Sequence, residues 1–438
     1  MSLQLPSTDI QLAAIPILLL IALHGFVLSV MPPLYIDEVA TSIHTESMLS
    51  HGTDFNGDQL PLMSSSFGGG YTTSTYLYPL VGWSSLFGTS DLALRAFSQF
   101  VTIITIILIA ASLYLWLGKR AAYIGLLVGL ALPWAWINGS LAWDPAITPL
   151  YISLGFFLFS LLARRTLSPL KRAVTISLLT VAMVLTAYSY PPARVGAPLL
   201  LLAALIYFAR YKLLNWRLVV ITIITGIIAS LPLLGFMLSP DSLGRSDSLG
   251  RSASLSVFND ASLLEGIGAL IGNLAALLNP VTLFVTGDAN LRHSTGVQGM
   301  LGISSLIAIS VLIIAFTSRS RRHAIPHAIK RLLVISVVGV MAGLLGSALT
   351  NEGQPHYLRA TLAWPFFVII ITIGWQYVMK LSTYWRQLLI LLGVLLVSLY
   401  IFDLTMNYPS RAEPSFGASA RTERESQVLE YYQSYSSP

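Results

Sequence analysis

The chain has 438 residues, 55% of them hydrophobic and only 10% charged, with a mean hydropathy of +0.73. An ordinary soluble domain carries roughly 25% charged residues, so the composition excludes a water-soluble globular protein and leaves a chain that dissolves in lipid. The net charge of +6 and pI near 9.4 do not mark a nucleic-acid binder, because Lys and Arg sit in short breaks between apolar runs, and the absence of cysteine excludes disulfides and thiolate metal sites.

A membrane-crossing helix needs about 20 largely apolar residues. The first such run, about Ile10 to Met31, has no basic leader and no A-x-A cleavage site, and reads as a retained span. Further runs fall at about 93–117, 120–138, 142–163, 172–189, 192–210, 217–238, 299–317, 331–349, 356–379 and 385–405. The fold class is therefore all-α: a polytopic transmembrane bundle of about 11 spans over residues 1–406, followed by a tail at 407–438. Residues 72–87 (TTSTYLYPLVGWSSLF) are short, rich in Tyr and Trp and broken by Pro79, and are read as interfacial. With that segment kept out of the membrane, sixteen of the 25 Lys and Arg fall on one side and eighteen of the 19 Asp and Glu on the other. The positive-inside rule then puts the N-terminus inside and the C-terminus outside.

Three stretches too long to be connectors all fall outside: a first loop at 32–92, a second at 239–298 and the tail from Asn407. The second opens with a tandem repeat, Asp241 to Ser246 and Asp247 to Ser252, read as a flexible Ser/Gly-rich segment. Its second half, Ala261 to Leu278, has helical apolar spacing and is expected along the membrane surface. The tail, with Glu423, Glu425 and Glu430 beside Tyr431, Tyr432 and Tyr435, reads as a short surface helix or a disordered segment, with no chemistry assigned.

Chemistry is expected where the first span ends. The run Pro32-Pro-Leu-Tyr-Ile-Asp37-Glu38-Val-Ala is followed by Glu46, Asp54 and Asp58, with no Lys or Arg before Arg95. Carboxylates at the mouth of a helix bundle suit general-base work, because partial burial brings their pKa toward the working range. The same residues also fit a solvated acidic loop.

The Asp-Glu pair, the stretch Gly52 to Leu62 (Gly-x-x-Phe-x-Gly-Asp-x-x-Pro-Leu read from its core), the interfacial Tyr/Pro segment and Gly88-Thr-Ser-Asp-Leu-Ala-Leu-Arg95 together resemble the glycosyltransferases that use lipid-phosphate sugars. More narrowly, the chain is similar to the family of dolichyl-phosphate-mannose protein mannosyltransferases and the bacterial aminoarabinose transferase. Two downstream stretches extend the likeness over most of the chain: Ala187-Tyr-Ser-Tyr-Pro-Pro-Ala-Arg194-Val-Gly-Ala-Pro198 and Phe284-Val-Thr-Gly-Asp288-Ala-Asn290-Leu-Arg292-His293-Ser. The resemblance implies the C-type membrane glycosyltransferase fold. It also implies inverting transfer of a sugar from an undecaprenyl- or dolichyl-phosphate donor to a hydroxyl acceptor, which is a glycan, glycolipid or protein. A bacterial or archaeal cell-envelope role follows, because the second outer loop has no room for an extra lumenal domain.

Under that resemblance Asp37 matches the catalytic base and Glu38 its acidic neighbour, orienting the acceptor or tuning Asp37. The donor phosphate calls for cations, and Arg95, Arg292, Arg194 and Arg359 are the candidates at outer helix ends or in the outer loop, with Arg95 and Arg292 preferred. Snorkelling or pairing with an outer carboxylate is the competing reading of each. Asp144, Asp288, Asn290, His293 and His356 are expected at the sugar or acceptor.

No metal or other cofactor is assigned. His44, His51, His293 and His356 all lie outside but show no helical metal spacing, and a divalent ion is the less favoured alternative. Glu352, His356 and Arg359 share one helical face, interrupted by Pro355. Trp134, Trp136, Trp364 and Trp375 fit interfacial belts, Gly68 to Gly70 fits a loop hinge, and Asp403 fits an interface residue. Two rival classes are a lipid or solute transporter and a non-catalytic scaffold. A transporter calls for mid-membrane charges and repeated halves, neither of which the sequence displays.

Overall fold

The computed structural model describes residues 7–66, 70–239, 256–258, 261–318, 325–351, 353–417, 423 and 425–430, with side chains from residue 14. The tandem repeat, Glu352 and the tail tyrosines from residue 431 lie outside the described residues.

Among the described residues, helix α1 (Ser7–Val30) leads into the first loop, which contains α2 (Ile36–His51), a hairpin of β1 (Met63–Ser66) and β2 (Gly70–Thr73), and α3 (Ser74–Phe87). The strands pair antiparallel, with Met63 opposite Thr73 and Ser66 opposite Gly70. Then follow α4 (Asp91–Leu117), α5 (Lys119–Ala131), α6 (Pro133–Gly139), α7 (Thr148–Arg164), α8 (Pro169–Ser189), α9 (Ala193–Arg210) and α10 (Trp216–Met237). After the second loop and its α11 (Leu263–Leu277) come α12 (Ile303–Thr317), α13 (His327–Ala348), α14 (Trp364–Val378), α15 (Thr383–Met406) and α16 (Tyr408–Phe416).

Among the described residues, eight helices are long and apolar enough to cross a membrane, the bent pair α5–α6 makes a ninth if it is one span, and α11, α12 and the described part of α1 are shorter apolar helices. Apart from α11, which the sequence puts along the membrane surface, these segments match the eleven runs read from hydropathy, and the protein is a multi-pass membrane protein. The 14-residue α3 is too short to cross, as its composition suggested. Because the spans alternate in direction, the end of α1, the start of α4, the end of α8, the start of α9, the end of α13 and the end of α15 all meet at one end of the bundle.

Two departures from simple spans shape that end. The 120–138 run is broken by 62° between α5 and α6, because Pro133 has no N–H and cannot continue the ladder. The Trp134 N–H turns to the Met300 carbonyl instead, 2.9 Å away, and the freed Leu130 carbonyl accepts from His24 Nε2 at 2.9 Å. Gln99 Nε2 donates to His24 Nδ1 at 2.6 Å, and the imidazole stacks 3.5 Å from Trp136. A polar group inside the membrane is thus satisfied by the break that a proline creates. Trp134, Trp136 and Trp364 are all buried, so these three are core residues and not the interfacial belt that their type suggests.

Small residues bring the helices together. A Cβ on Gly196 of α9 would lie 2.6 Å from the Ala342 carbonyl oxygen of α13, and one on Gly346 would strike the Pro192 carbonyl oxygen. These contacts hold the turn before Arg194 against the end of α13. Helix α11, capped by Ser262 and Glu265, exposes Leu263, Leu264 and Ile271, and is tied inward by Asn273, whose Nδ2 donates to the Ala348 and Thr350 carbonyls at 3.0 Å each.

Candidate active site

The site grows from the N-terminus of α2. Pro32 and Pro33 end α1, and α2 begins with Asp37 and Glu38 in its first turn, where unpaired N–H groups and the helix dipole favour carboxylates. Glu38 turns inward. Its Oε2 accepts from the Tyr35 N–H (3.1 Å) and Arg95 Nη2 (2.7 Å), and its Oε1 accepts from Arg95 Nε and the Ala142 N–H, both at 2.8 Å. Arg95 also donates through Nη1 to the Pro32 carbonyl at 2.6 Å. Glu38 is 0% and Arg95 3% exposed.

Of the two readings of Arg95, a donor phosphate or a carboxylate partner, the structure shows the second, with Glu38 beside Asp37 in a position to tune it: the two neutralise each other in the interior and join α2, α4, the Pro32–Pro33 corner and the segment before Asp144. Their fit is physical: a guanidinium fork matches a carboxylate at two points, and with two backbone donors added the buried charges are fully met.

Next to Glu38, Asp37 is half-buried in the same first turn of α2. Asp37 and Arg194 are both within electrostatic reach of Asp144, which also accepts from the Thr73 N–H at the end of the hairpin. Arg194 opens α9, and its Nε is buried with no hydrogen-bond partner among the described residues. On the other side stands Tyr35, with Trp143 edge-on at 5.9 Å and the Arg292 guanidinium 4.8 Å from its ring centre. Burial first, and then the Asp37 charge, push the Tyr35 phenol far up, with Arg292 opposing, so Tyr35 stays neutral.

The second-loop motif folds into a knot beside Tyr35. The Asp288 Oδ1 accepts from the Asn290 N–H at 2.9 Å, and its Oδ2 meets His293 Nδ1 at 3.1 Å and the Tyr357 N–H at 2.9 Å. Gly287 adopts φ +78°, and a Cβ there would strike Ser294 at 2.7 Å, so the tight return needs glycine. Asn290 Oδ1 accepts from the Arg292 N–H (3.0 Å) and Nε (3.3 Å). Asn290 therefore orients Arg292. The His356 ring lies 4.7 Å from that of His293, which in turn stands 6.0 Å from Trp143.

Burial acts to raise the Asp288 pKa, but the His293 hydrogen bond and charge, together with the Asn290 and Tyr357 N–H groups, outweigh it and hold the carboxyl below its usual range. Burial, then the charges of His293 and Arg359, push His356 down to about 3 against the pull of Asp288. Asp288 is thus an anion and His356 a neutral imidazole. Arg359, on the 3-10 turn Tyr357–Ala363, is close enough to His356 for that charge effect.

Of the residues singled out in the sequence, Asp37, Asp144, Arg194, Arg292, Asp288, His293, His356 and Arg359 thus form one continuous neighbourhood. Trp143, the neighbour of Asp144, stands there as well, whereas Tyr35 and the packing of the tail helix were not foreseen. Tyr35 and Trp143 line the neighbourhood, and α16 closes it: Phe416 stands edge-on to Tyr35 at 6.0 Å and lies 5.9 Å from the Arg95 guanidinium carbon. The buried Tyr408 hydroxyl donates to the Leu291 carbonyl at 2.7 Å. Arg411 holds Asp403 at 2.6 Å and the Thr295 carbonyl at 2.7 Å, so Asp403 anchors α16. The i, i+4, i+8 spacing of Tyr408, Ala412 and Phe416 was the available signal.

Solved structures share this architecture. ArnT from Cupriavidus metallidurans in the apo state matches with a TM-score of 0.53 at 11% identity, over 97% of this chain and 77% of that one. ArnT from the same organism bound to undecaprenyl phosphate gives 0.53 at 12%, over 96% and 78%. The archaeal oligosaccharyltransferase AglB from Archaeoglobus fulgidus, in complex with an inhibitory peptide and a dolichol-phosphate, gives 0.51 at 10%, over 93% and 56%. No protein-family model and no curated protein matches the sequence. The fold is that of the C-type membrane glycosyltransferases.

Proposed function

We propose that the protein is an inverting glycosyltransferase that moves a sugar from a polyprenyl-phosphate donor to a hydroxyl acceptor at the outer face of the membrane. The observation that carries this reading is Asp37, set in the first turn of α2 beside the closed Glu38–Arg95 fork and facing the Asp144–Arg194 and Tyr35–Arg292 groups. Support also comes from the neighbours of the same fold, one described with undecaprenyl phosphate and one with dolichol-phosphate and a peptide.

In the reaction Asp37 takes the acceptor hydroxyl proton as the new bond forms at the anomeric carbon. The bond from that carbon to phosphate breaks, and the lipid phosphate leaves with the electron pair and its negative charge. Arg292, Arg194 and Arg359 are the cations that meet that charge, with Tyr35 as the platform that holds Arg292 in place. Asp144 offers a carboxylate to sugar hydroxyls. Glu38 and Arg95 act as positioning residues, fixing the turn on which Asp37 stands. The lipid chain needs apolar surface, and a groove of about 350 Å³ lined by Leu19, Leu23, Ile124, Val128 and Trp375 supplies it between helices.

The test is transfer of label from a panel of polyprenyl-phosphate sugars to membrane acceptors by the purified chain in detergent or vesicles. Asp37→Asn is expected to lower turnover by about 100- to 10,000-fold while the protein stays folded. Full activity in that variant, or no donor consumed by the natural chain, overturns the assignment and favours a transporter.

A further inference from the structure

We infer that Asp288, His293 and His356 form a binding site for one divalent transition-metal ion. Their ligand atoms all lie within 4.8 Å of one another, although the residues come from two segments, the second loop and the turn after α13. The site does not include Asp37 and does not depend on the transferase reading.

Three features make this more than a chance meeting of polar groups. Asp288 and His293 are only 5% and 7% exposed, and His356 Nδ1 is buried with no hydrogen-bond partner among the described residues. A buried imidazole nitrogen left without a partner costs on the order of 1–3 kcal/mol, and a metal ion removes that cost. The carboxylate is already oriented by the N–H groups of Asn290 and Tyr357, and the His356 carbonyl accepts from Ser347 Oγ at 2.9 Å. Such outer partners are what hold metal ligands in place.

The donor set is two imidazoles and one carboxylate, which suits zinc, manganese, iron or cobalt over the harder magnesium and calcium. Three protein ligands leave at least one coordination position for water or an anionic oxygen. The neighbouring Arg292 and Tyr35 make a phosphate oxygen the chemical class that position would take.

The test uses the full chain, purified in detergent with an affinity tag free of histidine, stripped with chelator and titrated with zinc, manganese or cobalt. About one ion per chain is expected, with a rise in thermal stability on binding. Asp288→Asn and His356→Gln are expected to weaken binding at least tenfold, while His44→Gln, which alters a buried imidazole elsewhere, leaves it unchanged. Absence of binding to the natural chain overturns the site, as does binding that survives both substitutions. Should the variants not fold, X-ray absorption at the zinc edge of the natural chain decides: two imidazole ligands are expected, and a shell without imidazole overturns the proposal.

Discussion

Glu38 and Arg95 meet in a two-point fork, Oε1 to Nε at 2.8 Å and Oε2 to Nη2 at 2.7 Å, across 57 residues of sequence. Removing one partner leaves a charge without its counter-ion in the interior, which costs about 3–5 kcal/mol. Arg95→Met is therefore expected to lower the unfolding midpoint sharply in a thermal scan, whereas Asp37→Asn leaves it within about a degree or two. Equal midpoints for the two variants would mean that the fork is not structural.

Arg292 lies over the Tyr35 ring and is held by Asn290. Under the proposed role at the phosphate, Arg292→Lys loses the planar fork and is expected to raise the KM for a polyprenyl-phosphate donor about tenfold or more. Tyr35→Leu, which removes the platform but not the charge, should give a smaller rise. Steady-state kinetics over a donor series measures both, and an unchanged KM in the lysine variant removes Arg292 from the donor site.

Gly346 faces the Pro192 carbonyl with no room for a methyl group. Gly346→Ala forces α9 and α13 apart, an overpacking that costs about 1–3 kcal/mol, and moves the turn bearing Arg194. Lower thermal stability together with lower donor affinity is the expected pair of results. Gly268→Ala, on the open face of α11, serves as the control, since no atom lies within 4 Å of its added carbon.

His44 is buried, its Nε2 2.7 Å from the Ser65 carbonyl and its Nδ1 accepting from the Phe55 N–H at 3.3 Å. Burial lowers its pKa, partly offset by the Ser65 bond and by Asp54. The unfolded chain then binds a proton more readily than the folded one from about pH 6.5 downward. Stability from this residue is full above that pH and falls as the pH drops toward the folded value. Thermal scans at pH 7.5 and 5.5 should show a smaller acid-induced drop for His44→Gln than for the natural chain, and an equal drop would assign the effect to other groups.

Hydropathy carried the spans well, because a lipid-facing helix must be apolar throughout and its length is set by the bilayer. The same averaging hid the break at Pro133, which sits in a run of unchanged apolarity. The Asp37 motif was readable because it is local. The fate of Glu38 was not: its partner is 57 residues away, and whether a guanidinium turns to a phosphate or to a carboxylate is decided in three dimensions. Asp288 and His293 stood together in sequence, but His356 joined them only in the fold, where the Asp288 carboxylate accepts from the N–H of Tyr357, 69 residues further on. A short surface helix was one of two readings of the tail, but the docking of α16 was not legible, because its three buried side chains matter only once a surface is there to receive them.

The docking of Phe416 against Tyr35 sets an order of assembly. A ribosome adding 5–20 residues per second places these two rings roughly 380 residues, or about 20 to 75 seconds, apart. During that interval the nascent chain holds the Asp37 turn in the membrane with its aromatic cover still to come. The mouth is sealed only when the polypeptide returns to its own beginning, so a chain halted before Tyr408 would reach the membrane as an unclosed bundle.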